Sequence, residues 1–232
     1  MSHKLIQAQV EYITPLTDSI LKIILAPEEY IDYQAGQYLQ IVSANDTFCY
    51  SIANAPLGSK KYELHIRHGH DNPSQQNVLT EIKQTAAVSI HVPFGTCDLS
   101  HLHADKPIIF IAGGTGFAPI KAMIEQLLAD GETRAFELYW GARSQSDLYM
   151  DELVSHWQSH VSHFQYFSQL STKSTETLAS SVIARHSTHL NDWQIVIAGP
   201  FDMAYSTRDQ LLTHGASSSN LFSDAFSFEG GR

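Results

Sequence analysis

From Leu5 to Ala26 the apolar residues recur at alternate positions: Ile6, Ala8, Val10 and Tyr12, then Leu21, Ile23 and Leu25 on one parity and Ile20 and Ile24 on the other. Alternation is the period of a β-strand. Thr14-Pro15-Leu16-Thr17-Asp18-Ser19 interrupts it and predicts two strands joined by a turn. A turn and third strand follow over Tyr33 to Val42, a fourth over Phe48 to Ala53 and a fifth over Lys61 to Arg67. Asn72-Pro73-Ser74 opens a helix of about two turns that ends near Lys83. Ala87 to Val92 is a sixth strand, closed by Pro93-Phe94-Gly95. Short strands with polar turns and one helix predict a small antiparallel β-barrel.

Past the polar segment Leu99 to Asp105 the period changes. Ile108 to Ala112 is an unbroken apolar run, as in a strand buried on both faces of a parallel sheet. Pro119 to Leu128 then carries Ile120, Met123, Ile124, Leu127 and Leu128 at helical spacing. Strand and helix continue to alternate: Ala135 to Trp140, Ser146 to Trp157, His163 to Phe167, Thr175 to Arg185, Trp193 to Ala198, and a helix through Leu212. This alternation means a parallel sheet with helices on both faces. The expected fold is two-domain: an N-terminal antiparallel β-barrel over 1–103 and a C-terminal α/β parallel-sheet nucleotide-binding domain over 104–232.

The chemistry gathers at the turn Gly113-Gly114-Thr115-Gly116. Glycines let the backbone turn sharply and let a ligand come closer than a Cβ permits. The helix that follows presents free N–H groups and the positive end of its dipole, a place for an anion such as a diphosphate. The turn has neither the G-x-G-x-x-G spacing nor the Lys of a P-loop, and a tight turn with no ligand is the alternative. Gly141 to Ser144 and Gly199 to Met203 also sit at strand ends, where parallel sheets bind ligands.

Composition narrows the partners. The net charge of −10 argues against nucleic acid and against anionic membrane surfaces. Cys49 and Cys97 stand far apart, which fits a reducing cytoplasm and cannot supply the four thiolates an iron–sulfur cluster normally needs. Cys49, next to Tyr50, is expected to face the core, and Cys97 to be a small buried residue. No signal peptide follows Met1, no apolar run reaches membrane length, and Phe228 to Arg232 is expected to fray. The 13 histidines include His101 with His103, His65 with His68 and His70, and His156 with His160 and His163. None of these sets has a thiolate or carboxylate partner at a recognised spacing, so they are read as mostly solvated and no metal site is expected.

Taken in order, Ala35-Gly36-Gln37-Tyr38, Tyr50-Ser51-Ile52-Ala53, Val92-Pro93-Phe94-Gly95, Ile111 to Phe117, Tyr139 to Arg143, Ala198 to Met203 and Phe222 to Phe228 span essentially the whole chain. The pattern resembles the ferredoxin–NADP reductase superfamily, and within it the NAD(P)H:flavin oxidoreductase branch of free-flavin reductases. The resemblance implies a flavin-binding barrel, a cytoplasmic enzyme, and NAD(P)H and flavin (riboflavin, FMN or FAD) as cofactors. It implies that Tyr50, Ser51 and Ile52 bind the flavin ring, with the Ser51 hydroxyl near N5. A hydroxyl there can donate to oxidised N5 and accept from reduced N5–H. It implies that Gly113, Gly114, Thr115 and Gly116 receive the nicotinamide half and diphosphate. Arg143 and Ser144 would contact the adenosine side, and Gly199, Pro200 and Met203 would border the nicotinamide. The aromatic tail would cover the ring. Hydride transfer between two cofactors needs no general acid or base, so Ser51 is the one residue assigned a tuning role. For Arg143, pairing with Asp147 or Asp151 is the alternative.

The branch pattern before the flavin Ser is Arg-x-Tyr/Phe-Ser, and here the Arg position is Phe48. A Phe binds no phosphate. Three readings stay open: flavin is a weakly bound, passing substrate held by its ring; Arg67 or a histidine supplies the missing charge; or the chain is a non-catalytic nucleotide-binding module. A reductase that passes electrons to a protein partner is a further alternative.

Overall fold

The structure is a computed structural model describing residues 3–43, 46–68, 73–173 and 175–231. His70 and Asn72 of the expected histidine set and helix start, and Arg232, lie outside the described residues. The chain forms two compact units, Met1–Ser100 with Ala118–Gly131, and His101–Phe117 with Glu132–Arg232.

The first unit is built on strands β1 (Lys4–Thr17), β2 (Ile20–Pro27), β3 (Tyr38–Val42), β4 (Thr47–Ser51), β5 (Tyr62–Arg67) and β6 (Ala87–Phe94), with helix α1 (Pro73–Thr85) before β6. They form one antiparallel sheet in the order β4-β3-β6-β1-β2-β5. An antiparallel bridge between Ile52, just past β4, and Leu64 on β5 joins the two ends of that order, so the sheet closes on itself. Ile23, Leu25, Leu39, Ile41, Ile52, Leu64, Ile66 and Ile90 fill the interior. Each such side chain contributes about 1.5–3 kcal/mol on burial. Two expected boundaries move. β1 runs through Thr14 and Pro15 to Thr17, leaving the turn to Asp18 and Ser19. α1 has 13 residues rather than two turns.

The second unit carries β7 (Ile108–Gly113), then, past helix α2 (Phe117–Ala129), β8 (Phe136–Ala142), α3 (Asp151–His160), β9 (Phe164–Leu170), α4 (Leu178–His186), β10 (Gln194–Ala198), α5 (Phe201–Thr213) and a short β11 (Leu221–Phe222). All residues of α2 past Phe117 group with the first unit. The sheet is parallel, in the order β11-β10-β7-β8-β9. Alternate residues of the buried strands point to opposite faces. Ile109, Ile111, Ile195 and Ile197 meet Leu178 and Val182 of α4 and Ala204 and Leu211 of α5.

Three features depart from the periodicity. The helix expected over Ser146 to Trp157 is a 3-10 turn at Gln145–Asp147 and a separate α3, because the Asp147 carboxylate takes both the N–H and the hydroxyl of Ser144 and closes the turn on itself. β11 has two residues, too few for a periodic signal. The tail forms a 3-10 helix over Asp224–Gly231 where fraying was expected.

Candidate active site

In the barrel unit, β4 lies antiparallel to β3 with Ser51 opposite Tyr38, Tyr50 opposite Leu39, Cys49 opposite Gln40 and Phe48 opposite Ile41. Directly opposed residues share a face of the sheet. Leu39 and Ile41 are buried, so Tyr50 and Phe48 pack half-buried against the core. Cys49 is therefore exposed, with Gln40 Nε2 at 3.7 Å from its Sγ. This corrects the expected inward Cys49: the parity of β4 is set by its partner strand.

Ser51 is half-buried. Among the described residues its hydroxyl has no hydrogen-bond partner, so it is available to a ligand as donor and acceptor. Ile52 is fully buried, and its N–H bonds the carbonyl of Gln37 at 3.0 Å, so its side chain faces the core. Gly36 has φ +110°, and a Cβ there would meet Cys97 O and Met123 Cε at 2.4 Å. Only glycine allows that approach. Phe48, at the position of the branch Arg, offers no cation, and Arg67 at the end of β5 donates to Ser19 Oγ at 3.4 Å.

Beside the end of β4 lies a charged cluster that periodicity did not reveal. Lys121, on the apolar helix α2, is buried. Its Nζ lies 2.7 Å from Glu125 Oε1, 3.3 Å from Glu63 Oε1 and 2.9 Å from the carbonyl oxygen of Ala53. His65 Nε2 is 2.8 Å from Glu63 Oε1. Burial disfavours ionisation of Glu63, but the His65 hydrogen bond and Lys121 outweigh it and hold the carboxyl at about 2. Burial lowers the pKa of His65, which keeps the ring neutral and donating to Glu63. His65 is thus buried and paired where solvation was expected. Its sequence signal was weak: a Lys and a Glu four apart on an otherwise apolar helix.

In the α/β unit, β7, β8 and β9 proceed to one side and β10 returns to the other side of β7. The crevice beyond the carboxyl ends of β7 and β10 is the topological switch point, where such sheets bind ligands. The glycine turn and Gly199 converge there. A Cβ on Gly116 would lie 2.1 Å from Ala198 O. One on Gly199, which has φ +151°, would lie 2.5 Å from Met203 Cε and 3.1 Å from Gly113 Cα. One on Gly113 would meet Met203 Cε at 3.0 Å and Pro200 Cδ at 3.3 Å. Gly113, Gly116, Gly199, Pro200 and Met203 thus form one close-packed junction, tightest at Gly116. Gly114 (φ +54°) is held by Trp140, whose Nε1–H donates to its carbonyl at 3.0 Å, and Trp140 stacks on Phe117 at 4.0 Å. Thr115 is half-buried between them in sequence.

The third turn follows β8. Arg143 is exposed, and among the described residues its guanidinium has no ion-pair partner. The carboxylates that could have claimed it are engaged elsewhere: Asp147 by Ser144, and Asp151 by Gln145 at 3.0 Å and Tyr166 at 2.7 Å. Ser144 accordingly caps its own turn. A cavity of about 940 Å³ opens at the carboxyl ends of β8 and β9, lined by Gln145, Gln169, Lys173 and Arg185 among others. In the tail, Phe228 stacks on Phe201 at 5.6 Å, both partly exposed, and Tyr205 OH donates to the carbonyl of Ala225 at 2.7 Å. Among the described residues no group of three or more His, Cys, Asp or Glu is placed to hold a metal.

Residues 110–209 match the family described as "Oxidoreductase NAD-binding domain". The NAD(P)H-flavin reductase of Aliivibrio fischeri is 32% identical over 236 residues, covering 96% of this chain and 99% of that protein. That of Vibrio harveyi is 30% identical over 235 residues with the same coverage. The chain belongs to the NAD(P)H-flavin reductase family. It is a member of the ferredoxin–NADP reductase superfamily, as its motifs implied. The CDP-6-deoxy-L-threo-D-glycero-4-hexulose-3-dehydrase reductase of Yersinia pestis is 32% identical over 215 residues; 90% of this chain spans only 64% of that relative. In fold, the family member superposes on the flavohem-like FAD/NAD binding domain of a Vibrio cholerae nitric oxide dioxygenase with a TM-score of 0.77 at 17% identity, over 94% of this chain and 97% of that one. The two-unit architecture expected from the periodicity, an antiparallel barrel followed by a parallel α/β sheet, is the one observed. No helix among the described residues is long and apolar enough to cross a membrane.

Proposed function

We propose that the chain reduces a free flavin at the expense of NADH or NADPH. When bound, the nicotinamide supplies a hydride from C4 to flavin N5. The protein's part is to orient and shelter the two rings. The observation that carries the reading is the Ser51 hydroxyl, half-buried beside Tyr50 and without a partner among the described residues. It is free to donate a hydrogen bond to one redox state of N5 and accept one from the other. Tyr50 gives a ring an aromatic wall, and the turn Gly113 to Gly116 at the end of β7 gives a diphosphate backbone N–H groups. Arg143 and the cavity beyond β8 and β9 suit the adenosine end of the dinucleotide. Phe48 removes the phosphate contact, so the flavin is held by its ring and exchanges readily, with riboflavin accepted at least as well as FMN. The end-to-end match with the two flavin reductases supports this reading.

A second reading, electron delivery to a protein acceptor, draws on the terephthalate 1,2-dioxygenase reductase component of Comamonas, 29% identical over 63% of that protein's length. The test is oxidation of NADH and NADPH by the purified protein with riboflavin, FMN or FAD added. Turnover with free flavin, fastest with riboflavin, is the expected result. No turnover with any flavin overturns the proposal and leaves the partner-dependent or non-catalytic reading.

A further inference from the structure

We propose that Lys121 is a positioning residue for the flavin-side strand, acting through the backbone of residues 53–55. This rests on the flavin-reductase reading. β4 pairing ends at Ser51, and the Ile52 bridge to β5 is closed by the Ala53 N–H, so past that amide sheet hydrogen bonds no longer dictate the path of the chain. Instead, four backbone groups and the Asn54 side chain meet anchors there. Ala53 N–H donates to the Glu63 carbonyl at 2.7 Å, and Ala53 C=O accepts from Lys121 Nζ at 2.9 Å. Asn54 C=O accepts from the Tyr33 hydroxyl at 2.7 Å, and Asn54 Oδ1 accepts from Glu63 N–H at 2.8 Å. Ala55 N–H donates to Glu125 Oε2 at 3.1 Å.

Lys121 is the hub of these contacts. An ammonium has three hydrogens, and Ala53 O, Glu125 Oε1 and Glu63 Oε1 account for all three. Of the two carboxylates it neutralises, that of Glu125 holds the segment directly through Ala55 N–H, while Glu63 meets the segment with its main chain. Burying one cation and two carboxylates is costly, and a well-packed apolar side chain would generally serve stability as well or better. What an apolar side chain cannot do is fix a carbonyl and an amide in one orientation. The charge cluster therefore specifies the conformation of the chain two residues after Ser51, and through it the direction of the Ser51 hydroxyl. Lys121 touches no substrate in this role.

The test is Lys121→Met, with Lys121→Arg as the conservative control and Glu125→Ala as a second variant that removes the acceptor for Ala55. Steady-state kinetics with NADH and riboflavin are read beside amide hydrogen exchange of the peptide covering residues 50–57. In Lys121→Met, kcat should fall about 10- to 100-fold, the range for small misplacements of a reacting centre. KM for NADH should stay within about twofold, and exchange at Ala53 and Ala55 should quicken. Lys121→Arg should restore most of kcat and the protection. A folded Lys121→Met protein with wild-type kcat and wild-type exchange overturns the proposal, as does a loss that Lys121→Arg fails to repair. Should Lys121→Met not fold, Glu125→Ala decides: unaltered exchange at Ala55 with unaltered kcat is the overturning result. Should the wild-type protein not reduce flavin, the functional reading fails by itself, and hydrogen exchange alone still tests whether Lys121 holds the segment.

Discussion

At the scale of single residues, close packing and not glycine content distinguishes the glycines of the β7–β10 junction. A methyl on Gly116 would strike the backbone of Ala198 and Gly199, with three atoms between 2.1 and 2.6 Å away. Backbone cannot move aside as a side chain can. Gly113 faces mainly the flexible end of Met203, at 3.0 Å. Gly116→Ala should therefore lower stability by about 1–3 kcal/mol in urea unfolding and abolish NADH binding, while Gly113→Ala costs less. Equal costs would show that the β7–β10 junction is not where the strain falls. Arg143 makes a different prediction. Its guanidinium, without an ion-pair partner among the described residues, suits a phosphate, and a charge-assisted hydrogen bond contributes about 1.5–3 kcal/mol. Arg143→Ala should raise KM for NADPH about 10- to 100-fold and leave KM for NADH nearly unchanged. An equal rise for both nucleotides would place Arg143 on the shared diphosphate instead.

At the scale of elements, caps and partner strands moved the boundaries that periodicity suggested. α4 begins at Leu178 and not Thr175 because Thr177 and Ser180 bond reciprocally: Thr177 Oγ1 accepts from Ser180 N–H at 3.0 Å, and Thr177 N–H donates to Ser180 Oγ at 3.0 Å. Thr177→Ala should cost about 1 kcal/mol, read as a lower urea midpoint without a change in slope. No change would mean that packing of Leu178 and Val182 alone starts the helix. β4 teaches the same lesson by another route. Phe48, Cys49 and Tyr50 could occupy either parity until Leu39 and Ile41 on β3 drew Phe48 and Tyr50 over the core.

At the scale of the whole molecule, the buried charges govern the response to acid. Folded Glu63 keeps its charge down to about pH 2, whereas the unfolded chain protonates it near its ordinary 4.5. Its contribution is therefore present above about pH 4.5 and is lost as the pH falls from there to about 2. The difference is worth about 3 kcal/mol. His65 adds to the slope. Its pKa is lowered by burial from the ordinary 6.5, with Lys121 and Lys22 also opposing a second positive charge and Glu63 only partly offsetting them. Below about pH 6.5 the unfolded chain takes up that proton more readily than the folded one, and stability drops. Urea unfolding from pH 7 to pH 3 should show a steady fall beginning near pH 6.5 and steepening below 4.5. A flat profile over that range would contradict the charged Glu63–Lys121 pair.

The order of strands and helices, the change from an alternating to a strand–helix pattern past residue 105, the three turns at strand ends and the family were all legible in the chain itself. Each is a local property: apolar spacing reports burial within one element, and a glycine cluster reports a sharp turn wherever it lies. Other features waited for the tertiary structure because they depend on residues brought together from far along the chain. The outward Cys49 needed β3. The junction of Gly113 and Gly116 with Gly199 needed β10 to return beside β7. The Arg143 side chain, unpaired among the described residues, needed Asp147 and Asp151 to be engaged by others. The Lys121 cluster needed α2 to meet β5 and the end of β4, and a buried cation leaves no periodic trace, since its partners lie 4 and 58 residues away along the chain.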